Sequence, residues 1–262
     1  MSLIITLIQT ALSWEDIDAN LEQLTHKINS ISTATEVIVL PEMFSTGFSM
    51  QPEKFAERMD GKAVRWMHKT AMEKRVIITG SLMIEESGKY YNRLIWMLPN
   101  GQMGYYNKRH LFGYANEDEH YTAGNKRLIA QVKGFKINLQ VCYDLRFPVW
   151  ARQQTTEDGL AEYDILLYVA NWPERRNHAW KTLLTARAIE NQCYVIGVNR
   201  VGNDGNNIYH SGDSMVVNAM GETLYQKSDD EDIFTITLEK KPLDEIRNKL
   251  PFLRDADGFK II

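Results

Sequence analysis

Four short, continuous apolar runs constrain the fold of this chain most strongly: VIVL, VIITG, DILLYVA and YVIGV. Runs of this kind are typical of strands buried on both faces, as in the parallel sheets of α/β proteins. The segments between the runs carry apolar residues at helical spacing, as in the set Ile17, Leu21, Leu24, Ile28 and Ile31. Because such helices have a single apolar face, we expect them to cover one side of each sheet.

The order of these elements repeats along the chain. Each half shows strand, helix, strand, helix, strand and then a hairpin, the first about a Pro-Asn-Gly turn at 99–101 and the second about residues 218–221. The pattern predicts an α/β protein in which two similar halves form a layered sandwich. At 262 residues, and without a recognisable linker, the chain is expected to form a single domain over residues 1–262.

Several helix boundaries are marked by the sequence. Ser13 and Asp16 form a capping-box-like start for the first helix. Further helices are predicted over 62–74, from about Pro148, across 179–192 and over 242–249. The segment DIFTITLE, which precedes the last helix, is typical of a strand.

Composition excludes several classes of partner. Hydrophobic residues make up 44% and charged residues 24%, the balance of an ordinary globular protein. The net charge is −4, and the basic clusters at 108–109, 175–176 and 240–241 are short, so we expect no nucleic-acid partner. The N-terminal apolar stretch is brief and has no positively charged leader, so neither a signal peptide nor a membrane span is expected. The protein is therefore predicted to be cytoplasmic.

The cysteines and histidines do not form a recognisable metal or disulfide pattern. Cys142 and Cys193 are the two cysteines, and both are expected to be free thiols. Cys193 opens the apolar run CYVIGV and is expected to pack in the core. The six histidines are dispersed, and neither GxGxxG nor a P-loop sequence occurs, so we expect no metal and no nucleotide cofactor.

Three chemically capable side chains stand just past the ends of strand-like runs. Glu42 lies in VIVLPEMF, Lys108 in YYNKRHLF and Cys142 in INLQVCYDLRFP. Functional groups in α/β sheets gather beyond the carboxyl ends of strands, and Glu42, Cys142 and Trp172 each occupy such an end, so we expect a common site there. A nucleophilic thiol needs a proton acceptor and nearby positive charge, and its tetrahedral adduct needs hydrogen-bond donors. Together Glu42, Lys108 and Cys142 predict acyl transfer.

Taken one at a time, each of these residues has an ordinary explanation. Cys142 could be a small apolar filler at a strand end, Glu42 a loop charge and Lys108 a solvated cation. However, Cys142 follows an alternating strand and precedes a turn closed by Pro148, which resembles a nucleophile elbow. An elbow exposes the thiol, directs the N–H of Tyr143 at the substrate and lets helix-terminus dipoles favour the thiolate.

Further segments extend the pattern over nearly the whole chain: NWP at 171–173, LLTARAIENQCYVIGVNR at 183–200 and the GDSMVV hairpin. With LPEMF, YNKRHLF and CYDLRFP, in this order, they resemble the nitrilase superfamily of carbon–nitrogen hydrolases. The resemblance implies a four-layer α-β-β-α sandwich, commonly assembled as a dimer. It also implies that no metal and no organic cofactor takes part.

The same resemblance implies catalytic roles for matching positions. Cys142 matches the nucleophile, Glu42 the general base and acid, and Lys108 the group that stabilises the transition state. A second acidic residue often assists in this superfamily. In the stretch NEDEHYTAG it is best matched by Glu117, with Glu119 as the alternative.

The substrate-binding residues are less sharply marked. The resemblance places Trp172 on the pocket wall, although simple packing would also explain an aromatic residue there. Arg175 and Arg176 could bind a substrate carboxylate in bidentate fashion, although arginines in a loop are usually just exposed. Arg146 is expected to brace the elbow through a carboxylate such as Asp144 rather than to touch substrate.

Within the superfamily, the segment PEMFSTGFSM and the compact length are most similar to ω-amidases, which hydrolyse the terminal amide of 2-oxoglutaramate or 2-oxosuccinamate. The expected partner is thus a small-molecule amide. The alternatives are a related hydrolase of a nitrile, an N-carbamoyl amino acid or another monoamide. A catalytically silent binding protein that uses the sandwich for partner contacts is the alternative from a different class.

Overall fold

The computed structural model describes residues 1–154 and 160–261. The strands are β1 (Ser2–Gln9), β2 (Val37–Val39), β3 (Ile77–Glu86), β4 (Lys89–Met97), β5 (Met103–Asn107), β6 (Ile129–Val132), β7 (Phe135–Val141), β8 (Ile165–Ala170), β9 (Tyr194–Asn199), β10 (Val201–Asn203), β11 (Tyr209–Val217), β12 (Thr223–Ser228) and β13 (Asp232–Glu239). The helices are α1 (Ile17–Asn29), α2 (Pro52–Phe55), α3 (Lys62–Lys74), α4 (Glu117–His120), α5 (Pro148–Ala151), α6 (Asn177–Asn191) and α7 (Lys240–Lys249).

The strands form two mixed sheets of similar design. In the first sheet the order is β13-β1-β2-β3-β4-β5, with β1, β2 and β3 parallel. In the second the order is β10-β11-β9-β8-β7-β6, with β7, β8 and β9 parallel and β12 paired to β11. Each parallel trio is thus flanked by antiparallel strands. The two similar halves that the sequence predicted are present.

The layers follow from which face of each strand is apolar. One core cluster lies between the sheets and draws residues from both, such as Ile5 and Leu7 of β1 with Leu139 and Val141 of β7. A second cluster joins the other face of the first sheet to α1 and α3, and a third joins the second sheet to α6. The protein is therefore an α-β-β-α sandwich, as the sequence predicted.

Three helix starts differ from the expectation, and one of them is that of α6, which begins at Asn177 and not at 179. The N-cap of α1 is Asp16, whose side chain accepts a hydrogen bond from the N–H of Ala19 at 3.0 Å. The N–H of Ser13 instead donates to Oδ1 of Asn20 at 2.8 Å, so the capping role given to Ser13 was wrong. Helix α7 begins at Lys240, two residues before Pro242, because proline is tolerated in the first turn of a helix.

The C-terminal strand joins the first sheet. β13 pairs with β1 in antiparallel register from Ser2 opposite Glu239 to Gln9 opposite Asp232. The second half of the chain thereby contributes an edge to the first sheet, which the order of elements alone did not reveal. Within the described ranges, no helix combines the length and the hydropathy that crossing a membrane requires.

Candidate active site

Glu42, Lys108 and Cys142 converge at the edge of the sheets where their strands end. Lys108 directly follows β5, Cys142 directly follows β7, and Glu42 lies three residues beyond the end of β2. Nζ of Lys108 lies 3.0 Å from Oε1 of Glu42, and Cys142 is close enough to both side chains for their charges to change the pKa of its thiol. Three stretches far apart in sequence therefore bring a base, a cation and a thiol close together.

The backbone around the thiol and the first carboxylate is held in an uncommon conformation. Cys142 has φ +44° and opens a 3₁₀ turn over Cys142–Arg146, and Met43, next to Glu42, has φ +45°. Non-glycine residues rarely occupy this left-handed region, and those that do concentrate at functional sites. The N–H of Tyr143 lies in the first turn of the 3₁₀ segment, where N–H groups have no acceptor within the helix.

Lys108 is shared between two buried carboxylates. Its Nζ lies 3.0 Å and 2.8 Å from the two carboxylate oxygens of Glu117, in addition to the contact with Glu42. Glu117 follows Asn116, whose φ of +59° turns the chain inward, and the N–H of Phe112 donates to Oε2 of Glu117 at 2.6 Å. Glu119, the alternative from the sequence, is exposed, and the structure brings Glu117 to the site.

Burial and neighbouring charges shift the pKa values of Lys108, Glu117 and Cys142. Burial lowers the pKa of Lys108, but the charges of Glu117 and Glu42 outweigh it and hold that pKa above its usual range. Burial, reinforced by Glu42, raises the pKa of the Glu117 carboxyl against the effect of Lys108. Burial and the Glu42 charge also raise the pKa of the Cys142 thiol well above its usual range. Both effects favour the protonated thiol, whereas the charge of Lys108 favours the thiolate.

Two asparagines that the sequence did not single out complete the polar core of the site. Nδ2 of Asn92, in β4, donates to Oε1 of Glu42 at 2.8 Å and to Oε1 of Glu117 at 3.2 Å. The N–H of Asn171 donates to Oε2 of Glu42 at 2.8 Å, and its Nδ2 donates to the Glu42 carbonyl at 2.6 Å. The Glu42 side chain is thus fixed at both oxygens.

The thiol opens onto a cavity of about 410 Å³ whose wall contains Cys142, Trp172 and three arginines. The guanidinium of Arg146 lies over the ring of Trp172, 4.8 Å from its centroid. Arg176 is half-buried, and burial and the neighbouring Arg175 lower its pKa, whereas Arg175 itself is exposed. The cavity wall therefore carries three arginines, together with the acidic residues Glu15 and Asp204.

Arg146 does not brace the elbow through Asp144, contrary to the expectation. The buried carboxylate of Asp144 instead accepts hydrogen bonds from Tyr106 Oη at 2.7 Å, from the N–H of His110 at 3.0 Å and from the N–H of Val141 at 3.0 Å. Asp144 thus ties the elbow to the segment that carries Lys108. Arg146 is left to face the cavity.

Cys193 lies apart from the cavity. It is fully buried in the cluster beneath α6, and burial raises the pKa of its thiol to about 12. The packing role expected from the sequence fits this position. Across residues 1–154 and 160–261, no three His, Cys, Asp or Glu side chains are grouped so that they could hold a metal ion.

Comparisons with known proteins agree with the geometry. The carbon–nitrogen hydrolase family profile matches residues 4–248. The chain is 44% identical over 259 residues to omega-amidase YafV of Escherichia coli K12, covering 98% of each chain, and 31% identical over 254 residues to a 2-oxoglutaramate amidase of Bacillus subtilis, covering 96% of each. The chain is also similar to XC1258 of Xanthomonas campestris, with 41% identity and a TM-score of 0.97 over 100% of both chains. XC1258 is a CN-hydrolase superfamily protein whose structure contains an arsenic adduct in the active site.

Proposed function

Because the chain belongs to the carbon–nitrogen hydrolase family, we propose that it is an ω-amidase, which cleaves the terminal amide of a small 2-oxo dicarboxylic acid to release ammonia. The substrates we propose are 2-oxoglutaramate and 2-oxosuccinamate. The observation that carries the proposal is that Cys142, in the wall of a cavity that also contains three arginines, lies within electrostatic range of the Glu42–Lys108 ion pair. The thiol supplies the chemistry, and the arginines suit an acidic substrate.

In the acylation step, Sγ of Cys142 attacks the amide carbon while the thiol proton passes to Glu42. This coupling is needed because burial and the charge of Glu42 disfavour a free thiolate. Glu42 then gives the proton to the departing ammonia, which leaves a thioester on Cys142. In the second step Glu42 takes a proton from water as the water oxygen attacks the thioester carbon. The C–S bond then breaks, Glu42 returns the proton to Sγ of Cys142, and the acid product leaves.

The oxyanion is stabilised by Lys108 and by the N–H of Tyr143 in this proposal. An ammonium has three N–H bonds, and Lys108 directs them at Glu42 and at both oxygens of Glu117. The oxyanion replaces one of the two contacts with Glu117, so the cation remains paired throughout the reaction. Glu117 keeps Lys108 charged and in place.

Ammonia release from a panel of ω-amides, aliphatic amides, nitriles and N-carbamoyl amino acids tests the proposed function. We expect 2-oxoglutaramate and 2-oxosuccinamate to give the largest kcat/KM. A nitrile or an uncharged amide as the preferred substrate would reject the ω-amidase assignment, and carbon dioxide among the products would indicate carbamoyl cleavage.

We propose that Trp172 forms the wall behind the substrate and that Arg146, Arg175 and Arg176 bind its carboxylate. Replacing Arg146 or Arg176 by Met is expected to lower kcat/KM for 2-oxoglutaramate by about 10–100-fold, since each removes hydrogen bonds between charged groups. Arg175→Met is expected to cause a smaller loss, because Arg175 is exposed and solvent screens its charge. Hydrolysis of an uncharged aliphatic amide should change little. Equal losses on both kinds of substrate would contradict a carboxylate-binding role.

The proposal also includes a cytoplasmic homodimer. Ile189 of α6 is 52% exposed and lies beside Gly221, and Met220, in the same turn as Gly221, is 50% exposed, so we propose that both lie in the interface. Ile189→Asp is expected to yield monomers in light scattering, because it would place a charge in the interface. Met72→Asp, at an equally exposed residue of α3, should leave the mass unchanged. A monomeric wild-type protein would refute the homodimer.

A further inference from the structure

Asn92 is a buried polar residue in the middle of a strand, where its side chain has no structural partner outside the candidate active site. It is 1% exposed, and its backbone carbonyl accepts the N–H of Lys108 at 2.9 Å. Its Nδ2 donates to Glu42 and to Glu117, while its Oδ1 has no hydrogen-bond partner among the described residues. A buried amide held in this way needs an explanation, because an unpaired oxygen costs stability.

The contacts of Asn92 repeat those of Lys108 on the same two atoms. Lys108 lies 3.0 Å from Oε1 of Glu42 and 3.0 Å from Oε1 of Glu117, and Asn92 lies 2.8 Å and 3.2 Å from these oxygens. Each carboxylate oxygen has about two lone-pair positions. Both positions on Oε1 of Glu42 are therefore occupied, one by a cation and one by a neutral amide.

The other oxygen of Glu42 is only half occupied. Oε2 accepts the N–H of Asn171 at 2.8 Å, which leaves one lone pair for a further proton. Proton transfer from Cys142 requires a free lone pair on the carboxylate that faces the thiol. The occupancy of the two oxygens thus favours Oε2 as the acceptor.

We infer that Asn92 is a positioning residue: with Lys108 it occupies Oε1 of both Glu42 and Glu117, and so directs the proton of Cys142 to Oε2 of Glu42. The inference rests on the proposed function, in which Glu42 is the base. It extends that proposal by assigning the proton-accepting oxygen and the residue that selects it. The charged and titratable groups that face Asn92 and its partners are Glu42, Lys108, Glu117, Cys142 and Tyr121.

Two substitutions at this position should shift the pH dependence in opposite directions. Asn92→Leu removes a hydrogen-bond donor that favours the ionised form of both carboxylates, so the acid limb of kcat should move up by about one pH unit. Asn92→Asp places a third carboxyl beside Glu42 and Glu117, and it can donate a hydrogen bond only while protonated. Its activity should therefore survive at acid pH and fall as the pH rises.

The expected losses lie in kcat. In Asn92→Leu, kcat for 2-oxoglutaramate should fall by about 10–100-fold at neutral pH, with KM nearly unchanged, because Asn92 does not line the cavity. Asn138→Leu is the matched control. Asn138 lies in β7 and is equally buried, and its Oδ1 accepts a hydrogen bond from Nε2 of Gln140 at 3.1 Å. The control should keep its kcat and its pH profile.

A purely structural role would lower activity by the same factor at every pH in both Asn92 variants, and that result would overturn the inference. So would an unchanged kcat in Asn92→Leu. Alkylation of Cys142 by iodoacetamide, followed by mass spectrometry across pH, separates this outcome from failure of the proposed function. Alkylation needs no substrate. The pH at which it begins should be higher in Asn92→Leu than in the wild-type protein, even if the wild-type protein hydrolyses no ω-amide.

Discussion

The Cys142→Ala variant is expected to lose ω-amide hydrolysis by at least about 10⁴-fold, because no other nucleophile can form the thioester. Its free energy of unfolding should change by less than about 1.5 kcal/mol, since only a small, half-buried thiol is removed. Steady-state ammonia release and urea denaturation measure the two quantities. Retained turnover would remove Cys142 from the mechanism.

Cys193→Ala is the matched control for that substitution. The Cys193 thiol is fully buried in the core beneath α6, so its removal should cost about 1 kcal/mol of stability and leave kcat unchanged. We therefore expect Cys142→Ala to lower activity with little effect on stability, and Cys193→Ala to lower stability with little effect on activity. A large loss of activity in Cys193→Ala would mean that activity reports on folding and not on the thiol.

The Lys108→Met variant is expected to be inactive and to lose about 3–5 kcal/mol of its free energy of unfolding. Lys108 is 1% exposed between Glu42 and Glu117, which are both fully buried, and its removal leaves two carboxylates without their counter-ion. Thermal and urea denaturation measure the stability, and ammonia release measures the activity. Lys69→Met, at an exposed lysine, is the control. If Lys108→Met lowered the free energy of unfolding by no more than Lys69→Met, that result would contradict the buried ion-pair network.

The pH dependence of that destabilisation has a definite sign. Burial already raises the pKa of the Glu117 carboxyl in the wild-type protein, and without Lys108 this folded-state pKa rises further above the unfolded value. Protonation then relieves the uncompensated charge, so the variant should regain stability as the pH falls through the raised pKa and lose it as the pH rises. Adding Glu117→Gln to Lys108→Met should restore part of the stability and none of the activity.

The sequence predicted the positions of Glu42, Lys108 and Cys142 at strand ends because each follows an apolar run that only a strand explains. The amphipathic pattern of α1 and the bounds of α3 were also predicted, since helical periodicity is local. The layered sandwich and the carbon–nitrogen hydrolase family are confirmed. The roles of the three residues stay predictions.

Other parts of the molecule depend on contacts that the sequence does not display. Asn92 stands in the middle of β4, where an asparagine is ordinarily read as a polar strand position, and only the pairing of the sheet brings it beneath two carboxylates. The sequence signal that could have revealed Asn92 was a single amide side chain within a strand that is otherwise largely apolar. Likewise, Ser13 and Asp16 are both good capping residues, and the contact of Ser13 with Asn20 decides between them.

Rapid-quench mass spectrometry during turnover of 2-oxoglutaramate tests the account most directly. We predict that the peptide containing Cys142 gains the mass of the substrate less ammonia, and that hydrolysis of this thioester accompanies product release. An acyl group on another residue would contradict the account. So would an unmodified Cys142 peptide together with full turnover by the Cys142→Ser variant.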